Sequence, residues 1–198
     1  MSAHDEDELK PTFAEGFKLG ADKSPEELAK LDANDESLNR WKASLGINAA
    51  GGSTGTGPKV TVIGLVLTSP TLPGGRKIEM NLSNPRTEQY KDTPFRIKEG
   101  VDYTVTVCFK VNHGIVSGLR YMHYAKAFGV TVDRVEEMLG SFGPKPDGSA
   151  YESALPTDKS PEGFGARAPT YHVTSVIVDD DKNEYARFEW CFKLKGEW

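Results

Sequence analysis

The stretch from Asp102 to Phe128 constrains the fold of this 198-residue chain more than any other part. Its first half alternates polar and apolar residues, and the apolar ones are Tyr103, Val105, Val107, Phe109 and Val111. A period of two is typical of a strand that is buried on one face. The second half is aromatic-rich on both faces, and Gly114 and Gly118 are expected to bracket the turn between the halves. A hairpin this apolar needs a second layer to cover it.

The rest of residues 58–198 predicts more short strands, at about 59–67, 76–82, 95–97, 130–133 and 171–178, with one helical turn at 136–139. A last strand carries an apolar face made of Ala186, Phe188, Trp190, Phe192 and Leu194. Seven to nine short strands separated by Gly- and Pro-rich turns are typical of an immunoglobulin-sized sandwich. The predicted fold class is therefore all-β, an immunoglobulin-like antiparallel β-sandwich.

Residues 1–57 have a different composition, with 11 acidic and 6 basic residues, whereas residues 58–198 are balanced. Two short helices are expected, near 25–32 and 35–45, the first because Ser24-Pro25 followed by two glutamates is typical of a helix N-terminus. The second carries an apolar stripe, and residues 49–57 form a glycine-rich linker. We predict a flexible acidic arm over 1–57 and a sandwich over 58–198. The stripe either folds back on the sandwich or contacts a partner, and the long linker favours the partner.

Charge and hydropathy exclude several classes of protein. An acidic arm argues against nucleic-acid binding, because phosphates need lysine and arginine contacts. No apolar run approaches the roughly 18 residues of a membrane span, and neither a signal peptide nor a prenylation motif is present. Cys108 and Cys191 fall on the polar faces of their strands, which indicates free thiols in a reducing compartment. We therefore expect a cytoplasmic protein that does not insert stably into a membrane.

Residue patterns that carry chemistry are scarce. The four histidines share no metal-ligand spacing, and no glycine-rich turn opens a helix after a strand. No serine lies in a nucleophile elbow. We predict neither an enzyme nor a metal or cofactor. The run 179–181 of three aspartates is either a solvated turn or an acidic patch at the rim of the sandwich that meets a basic partner surface.

Several motifs, in the right order, resemble the Rho GDP-dissociation inhibitor family. They are Leu-Asp-Ala-Asn-Asp-Glu-Ser-Leu-Asn-Arg-Trp-Lys (31–42), Phe-Arg-Ile-Lys-Glu-Gly-Val-Asp-Tyr (95–103), Val-Asn-His-Gly-Ile-Val-Ser-Gly-Leu-Arg-Tyr (111–121), Gly-Ser-Phe-Gly-Pro (140–144), Asp-Asp-Asp-Lys (179–182) and Phe-Glu-Trp (188–190). The resemblance implies a regulatory arm, a sandwich and a partner of the Rho, Rac or Cdc42 type. That partner would be GDP-bound and carry a C-terminal geranylgeranyl group, and the inhibitor alone would be a monomer.

The resemblance also assigns roles to particular positions. It implies GTPase contacts, through the arm or through acids at the sandwich rim, at Asp35, Ser37, Leu38, Trp41, Asp133, Asp180 and Asp181. It implies a prenyl cavity surrounded by Leu67, Tyr103, Phe109, Ile115, Leu119, Phe188 and Trp190. Ser24 matches a regulatory phosphorylation site.

These observations predict an inhibitor and cytosolic carrier whose arm blocks nucleotide release and whose sandwich removes the GTPase from membranes. The alternative is a general prenyl-binding carrier with little GTPase specificity, which would need no arm helix. A third class is an adhesion or scaffold sandwich with an ordinary core and no lipid. Loss of inhibition on deleting 1–57 separates the first from the second, and membrane extraction separates both from the third.

Overall fold

The computed structural model describes residues 35–37, 39–40, 57–83, 88–163, 168 and 170–198. These residues form ten strands, a helical turn, α1, at Gln89–Asp92 and a single 3₁₀ turn at Pro73–Gly75. The strands are β1 Val60–Thr68, β2 Ile78–Asn81, β3 Phe95–Lys98, β4 Asp102–Val111, β5 Val116–Ala127, β6 Val130–Phe142, β7 Tyr151–Ala154, β8 Asp158–Lys159, β9 Tyr171–Val178 and β10 Glu184–Lys195.

Two sheets pack face to face. One has the order β2-β1-β4-β7, with β8 paired to the start of β4, and the other has the order β3-β10-β9-β5-β6. Every pairing between the described strands is antiparallel except that of β3 with β10. The predicted β-sandwich is confirmed, with one parallel pair at its edge and more strands than expected. In the arm, helical backbone is described at residues 36–37 and 39–40, within the predicted second helix, whereas the predicted helix near 25–32 lies outside the described residues.

The alternation in β4 predicts its buried face correctly. Val107, Phe109 and Val111 are at most 2% exposed, and they pack against residues of the opposite sheet such as Tyr121 and Ile177. Burial falls towards the start of the strand, where Tyr103 and Val105 are only half-buried. The sandwich is therefore closely packed at the end where β4 finishes and β5 begins, and less so at the other end.

Strand β6 corrects the prediction of a short strand followed by a helical turn at 136–139. The structure continues one strand through Phe142, and it pairs with β5 from Val116↔Phe142 to Ala127↔Val130. Glu136-Glu137-Met138-Leu139 contains good helix formers, but propensity is a weak local preference. The backbone of β5 offers a long row of hydrogen-bonding groups, and pairing with it satisfies both strands.

The turn between β4 and β5 also differs from the prediction. Gly114 lies in that turn, with φ of 65°. Gly118 lies inside β5 instead, with φ of 60°, at an irregularity in the pairing with β6 between Val116 and Leu119. Glycine in a strand often marks such a bulge or the close approach of another group, and here the carboxylate of Asp180 occupies the place where a side chain would be.

The cysteines are free thiols, as predicted, but Cys191 is only 1% exposed. Helix α1 explains this, because it packs on β10, and Lys91 of α1 forms an ion pair with Glu189 on the same face of β10 as Cys191. Burial is the main cause that raises the pKa of the Cys191 thiol above its ordinary value. No helix in the described part of the chain is long and apolar enough to cross a membrane.

Candidate functional site

A cavity of about 550 Å³ opens between the two sheets at the less closely packed end of the sandwich. Strands β1 and β4 supply one wall, and β5, β9 and β10 supply the other. The apolar and aromatic side chains of these walls are Leu67, Tyr103, Val105, Tyr121, Ala125, Ala127, Tyr171, Val173, Trp190, Phe192 and Leu194.

The sequence of β5 explains why space remains here. Its inward-facing residues change from Leu119 in the closed core, through Tyr121 and His123 where the cavity begins, to the small Ala125 and Ala127 further along the cavity. The alanines are nearly fully buried, yet they fill little volume between the sheets. Protein interiors otherwise leave few voids larger than a water molecule. A cavity of this size lies in the range of small-molecule sites, which are mainly apolar with few polar groups.

A chain of hydrogen bonds keeps the polar atoms of the cavity wall satisfied. Trp190 donates from Nε1 to Ser175 Oγ at 3.0 Å, and Ser175 Oγ lies 3.0 Å from the hydroxyl of Tyr121. That hydroxyl lies 3.2 Å from Nδ1 of His123, whose Nε2 lies 3.5 Å from Asp133 Oδ2. If the proton of His123 is on Nε2, each group donates to the next in the order Trp190, Ser175, Tyr121, His123 and Asp133. These hydrogen bonds fix the orientation of the Trp190, Tyr121 and His123 rings and leave the cavity surface mainly apolar.

The titratable side chains of the cavity wall are neutral, whereas those at its rim are charged. Burial raises the pKa of the phenols of Tyr121 and Tyr103 well above the ordinary value, so both stay neutral. At the rim, the hydrogen bond from His123 lowers the pKa of the Asp133 carboxyl, so it is ionised at neutral pH. The cavity therefore has a neutral interior and a charged edge.

Exposed residues among those lining the cavity mark its mouth. Asp158 and Lys159 are exposed on one side, and the Tyr103 hydroxyl donates to Asp158 Oδ2 at 3.2 Å. Phe128 and Val132, which are 77% and 55% exposed, lie on the other side. The mouth thus combines charged groups with exposed apolar side chains, which suits a ligand with an apolar chain and a polar attachment.

The structure brings together only part of the predicted prenyl set. Leu67, Tyr103 and Trp190 line the cavity. The other four lie towards the packed end: Phe109 and Leu119 in the closed core, Phe188 packed against that core, and Ile115 half-buried in the turn before β5. Sequence reasoning missed most of the second wall, including Ala125, Val173 and Phe192. The change from large to small residues along β5 was the signal that could have found it.

The predicted rim acids lie at opposite ends of the second sheet. Asp133 pairs with Ala125 at the cavity mouth, and its side chain is 49% exposed. Asp180 lies beside Gly118, seven residues back along β5 and thus about 23 Å away at 3.3 Å per residue. Its side chain is 18% exposed and forms an ion pair with Arg120, while Asp181 next to it is half-buried. The structure therefore does not gather these acids into one patch.

The run of aspartates 179–181 was expected to be either a solvated turn or an acidic surface patch, and its first residue fits neither description. Asp179 is fully buried, and its carboxylate accepts hydrogen bonds from the backbone and side chain of Asn183 and from the Tyr185 hydroxyl at 2.6 Å. This carboxylate holds the β9–β10 turn together from inside. Among the described residues, no three His, Cys, Asp or Glu side chains are grouped so that they could hold a metal ion.

In the arm, Asp35 is exposed and accepts a hydrogen bond at Oδ1 from the backbone N–H of Ser37, 2.9 Å away. Its carbonyl accepts another from the N–H of Asn39 at 2.8 Å. These are the two contacts of a helix N-cap. Leu38, Trp41 and Ser24 lie outside the residues whose side chains the structure describes.

Comparison with known proteins identifies close similarity along nearly the whole chain. Residues 2–197 match the family described as RHO protein GDP dissociation inhibitor. The human Rho GDP-dissociation inhibitor 1 is 36% identical over 182 residues, which cover 92% of this chain and 86% of that protein. The Rho GDP-dissociation inhibitor of Schizosaccharomyces pombe is 36% identical over 190 residues, which cover 94% of this chain and 90% of that protein. A solved structure of a Niemann-Pick type C2 protein from the Japanese carpenter ant has 10% sequence identity and a TM-score of 0.43, and covers 74% of this chain and 96% of its own.

Proposed function

The chain belongs to the family of Rho GDP-dissociation inhibitors, and from that premise we propose that its sandwich cavity holds the lipid anchor of its GTPase. Its function is that of a GDP-dissociation inhibitor of Rho-family GTPases, and it is a regulator, not an enzyme. The observation that carries the lipid part of the proposal is the apolar cavity of about 550 Å³ between the sheets.

A geranylgeranyl group is the chemistry that this cavity fits best. The walls are aliphatic and aromatic, and their polar atoms are paired with one another in the chain from Trp190 to Asp133. A bound prenyl group would therefore not leave any of these hydrogen-bonded polar atoms without a partner. Burying an unpaired polar group would be costly. The charged rim lies where the polar C-terminal segment of a prenylated protein would leave the cavity.

Energetics explain why such a protein needs more than the cavity. Burying a prenyl chain is worth about 0.8 kcal/mol per CH₂, so a 20-carbon group has an upper limit on the order of 15 kcal/mol. A bilayer offers much the same free energy of transfer. Contacts with the GTPase must therefore tip the balance, and two linked sites do so by raising the effective concentration of one for the other.

The arm supplies the second site in this proposal. Asp35 and the helix after it, with Ser37, Leu38 and Trp41, contact the switch region of the GTPase and hinder release of GDP. Asp133 at the cavity mouth and, at the other end of the same sheet, Asp180 and Asp181 contribute acidic groups that face the partner. Ser24, before the first predicted helix, is the proposed site of regulation by phosphorylation.

The preferred partner is the GDP-bound form, because the arm contacts the switch region of the GTPase. Holding the lipid removes the GTPase from membranes, so the inhibitor acts as a carrier in the cytoplasm. It does so as a monomer.

Filling the cavity tests the proposal. Ala125→Trp places an indole ring in the space between the sheets, where Ala125 is 4% exposed and lines the cavity. We expect extraction of a geranylgeranylated Rho-type GTPase from vesicles to fall about tenfold or more. The melting temperature should change little, because the ring occupies space that is already empty. In a close-packed core the same enlargement typically costs about 1–3 kcal/mol of stability. Slowing of GDP release from unprenylated GTPase, which depends on the arm, should persist.

Ala154→Trp is the matched control, because Ala154 is exposed on β7 outside the cavity. It should extract the GTPase like the wild-type protein. Normal extraction by Ala125→Trp would place the lipid elsewhere and refute this assignment of the cavity. Normal inhibition of GDP release together with no extraction by the wild-type protein would refute the carrier role while leaving the inhibitor role intact.

A further inference from the structure

The tip of the β5–β6 hairpin is unusually apolar for an exposed part of a protein. Among the described residues, four large apolar side chains are more than half exposed, and three of them lie at this tip. They are Phe128, Val130 and Val132, at 77%, 64% and 55% exposure, and we call them the apolar lip. Single exposed apolar residues are ordinary, whereas a cluster marks an interaction surface.

The backbone at the tip is unfavourable for the residue that occupies it. Phe128 has φ of 54° and Gly129 has φ of 78°. A two-residue hairpin turn with both φ angles positive favours Asn-Gly or Asp-Gly. A bulky residue in this region is a genuine outlier, and such strain concentrates at functional sites. Because the Phe128 side chain is mostly exposed, packing within the described fold offers little compensation, which points to a contact with something outside the chain.

The lip is continuous with the cavity. Phe128 and Val132 belong to both, since each lines the cavity and is also exposed. The pairing of β5 and β6 shifts between Ala125 and Lys126, opposite Val132, and both Val132 and its neighbour Asp133 line the cavity. An apolar surface therefore runs from the interior of the sandwich out to the tip of the hairpin.

We propose that the apolar lip docks on the surface of a lipid bilayer, so that a lipid chain enters the cavity without crossing water. The inference rests on the proposed function and adds the place where the carrier touches the membrane. A protruding tip with aromatic and aliphatic side chains suits shallow insertion between lipid headgroups. Lys126 and Arg134 come from the strand segments nearest the lip and outnumber the Asp133 carboxylate beside them, and cationic side chains beside such a tip suit anionic headgroups.

Vesicle binding by the full chain alone tests the lip directly. The probe is phosphatidylcholine vesicles containing about a fifth phosphatidylserine, which suffices for electrostatic attraction of basic residues. We expect the wild-type protein to float with the vesicles and Phe128→Asn to bind about fivefold or more weakly. Met138→Asn is the matched control, because Met138 is 53% exposed on β6, the strand that carries Val130 and Val132, but pairs with Arg120 at the packed end. It should bind like the wild-type protein.

Stability separates a lost contact from a damaged fold. Asn is favoured before Gly in this turn, so Phe128→Asn should melt at or above the wild-type temperature while binding vesicles less well. A lower melting temperature with unchanged vesicle binding would overturn the proposal, and so would a wild-type protein that does not bind the vesicles at all.

Val130→Ser separates a bilayer from a protein partner, because Val130 belongs to the lip but does not line the cavity. It should slow extraction of geranylgeranylated GTPase from vesicles about threefold or more, yet leave affinity for the same GTPase in membrane-free solution unchanged. Weaker affinity in solution would assign the lip to the GTPase and overturn the bilayer. If the wild-type protein extracts no GTPase, the carrier role fails, and the flotation of wild-type, Phe128→Asn and Met138→Asn proteins still decides whether the lip binds lipid.

Discussion

The carboxylate of Asp180 lies against the backbone of Gly118, in the space that any side chain at position 118 would need. The backbone N–H of Asp180 also donates to the carbonyl of Ser117 at 3.0 Å, and its Oδ1 accepts from Arg120 Nη2 at 2.8 Å. The turn after β9 is thereby fixed to the beginning of β5. This relationship gives Asp180 a structural role within the sandwich, whatever it contributes to a partner.

Gly118→Ala should destabilise the sandwich by about 2–4 kcal/mol, because it adds strain at positive φ and displaces the Asp180 carboxylate from its place. Gly129→Ala is the control, since Gly129 also has positive φ but has no atom near the position of an added Cβ. It should cost only about 1–2 kcal/mol of backbone strain. Denaturant unfolding of the two variants measures the difference, and equal losses would mean that crowding by Asp180 contributes nothing.

Tyr185→Phe should lower the free energy of unfolding by about 1.5–3 kcal/mol, the value of a hydrogen bond to a charged group. The Tyr185 hydroxyl donates to the buried carboxylate of Asp179, and the change removes that donor while keeping the ring. GTPase binding should not change beyond the effect of stability, as measured well below the melting temperature. Tyr90→Phe is a comparison, because within the described part of the chain the Tyr90 hydroxyl hydrogen-bonds the backbone N–H and carbonyl of Asn81, at 3.2 and 3.4 Å. We expect a loss of about 1 kcal/mol or less.

Three substitutions of Asp35 separate its capping role from a contact with the GTPase. Asn and Ser retain a side-chain oxygen that caps the helix, whereas Ala removes the cap at a cost of about 1 kcal/mol to the helix. If the carboxylate binds the switch region, Asp35→Asn and Asp35→Ser should both lose about tenfold or more in affinity, as Asp35→Ala does. The melting temperature of the sandwich should stay the same in all three.

Titration calorimetry with a GDP-bound GTPase makes this measurement. Wild-type affinity in Asp35→Asn and Asp35→Ser, with a loss in Asp35→Ala alone, would show that only the cap matters.

Asp133 should contribute stability that depends on pH. Its pKa in the folded protein is lowered from 3.8, chiefly by the hydrogen bond from His123, so the folded state favours the carboxylate. A carboxyl with a lowered folded pKa stabilises the protein above its unfolded value, near 4, and loses that contribution as the pH falls through the folded value. Wild-type protein should therefore melt at a higher temperature than Asp133→Asn near pH 6, and the difference should shrink as the pH falls below about 4.

Thermal melts at several pH values measure this difference. A gap between wild-type protein and Asp133→Asn that stays constant down to pH 3 would show that ionisation of Asp133 is not its cause.

Much of the architecture could be predicted from local pattern. The alternation from Tyr103 to Val111 identified the buried face of β4, and the range 171–178 was predicted with the bounds that β9 has in the structure. These predictions succeeded because a strand that is buried on one face records its orientation in every second residue. The family motifs added the class of protein, which no periodicity could indicate.

The candidate site was less predictable, because it depends on residues distant in the sequence. Phe109 and Trp190 both lie on inward faces, and alternation alone cannot distinguish a core residue from a cavity residue. Whether such a residue is packed in the core or lines the cavity depends on which side chains of the opposite sheet lie across from it. The same holds for Asp133 and Asp180, which look alike as acids near strand ends and lie about 23 Å apart along β5.

The sequence by itself therefore determined most of the strands, the apolar face of β4 and the family that the chain resembles, because these depend on short-range periodicity and contiguous motifs. The tertiary structure alone decided that residues 136–139 continue a strand, that Asp180 lies against Gly118, and that the sheets leave a cavity beside Ala125. Each of these outcomes is a balance between groups far apart in the chain, for which backbone pairing and packing outweigh local preference.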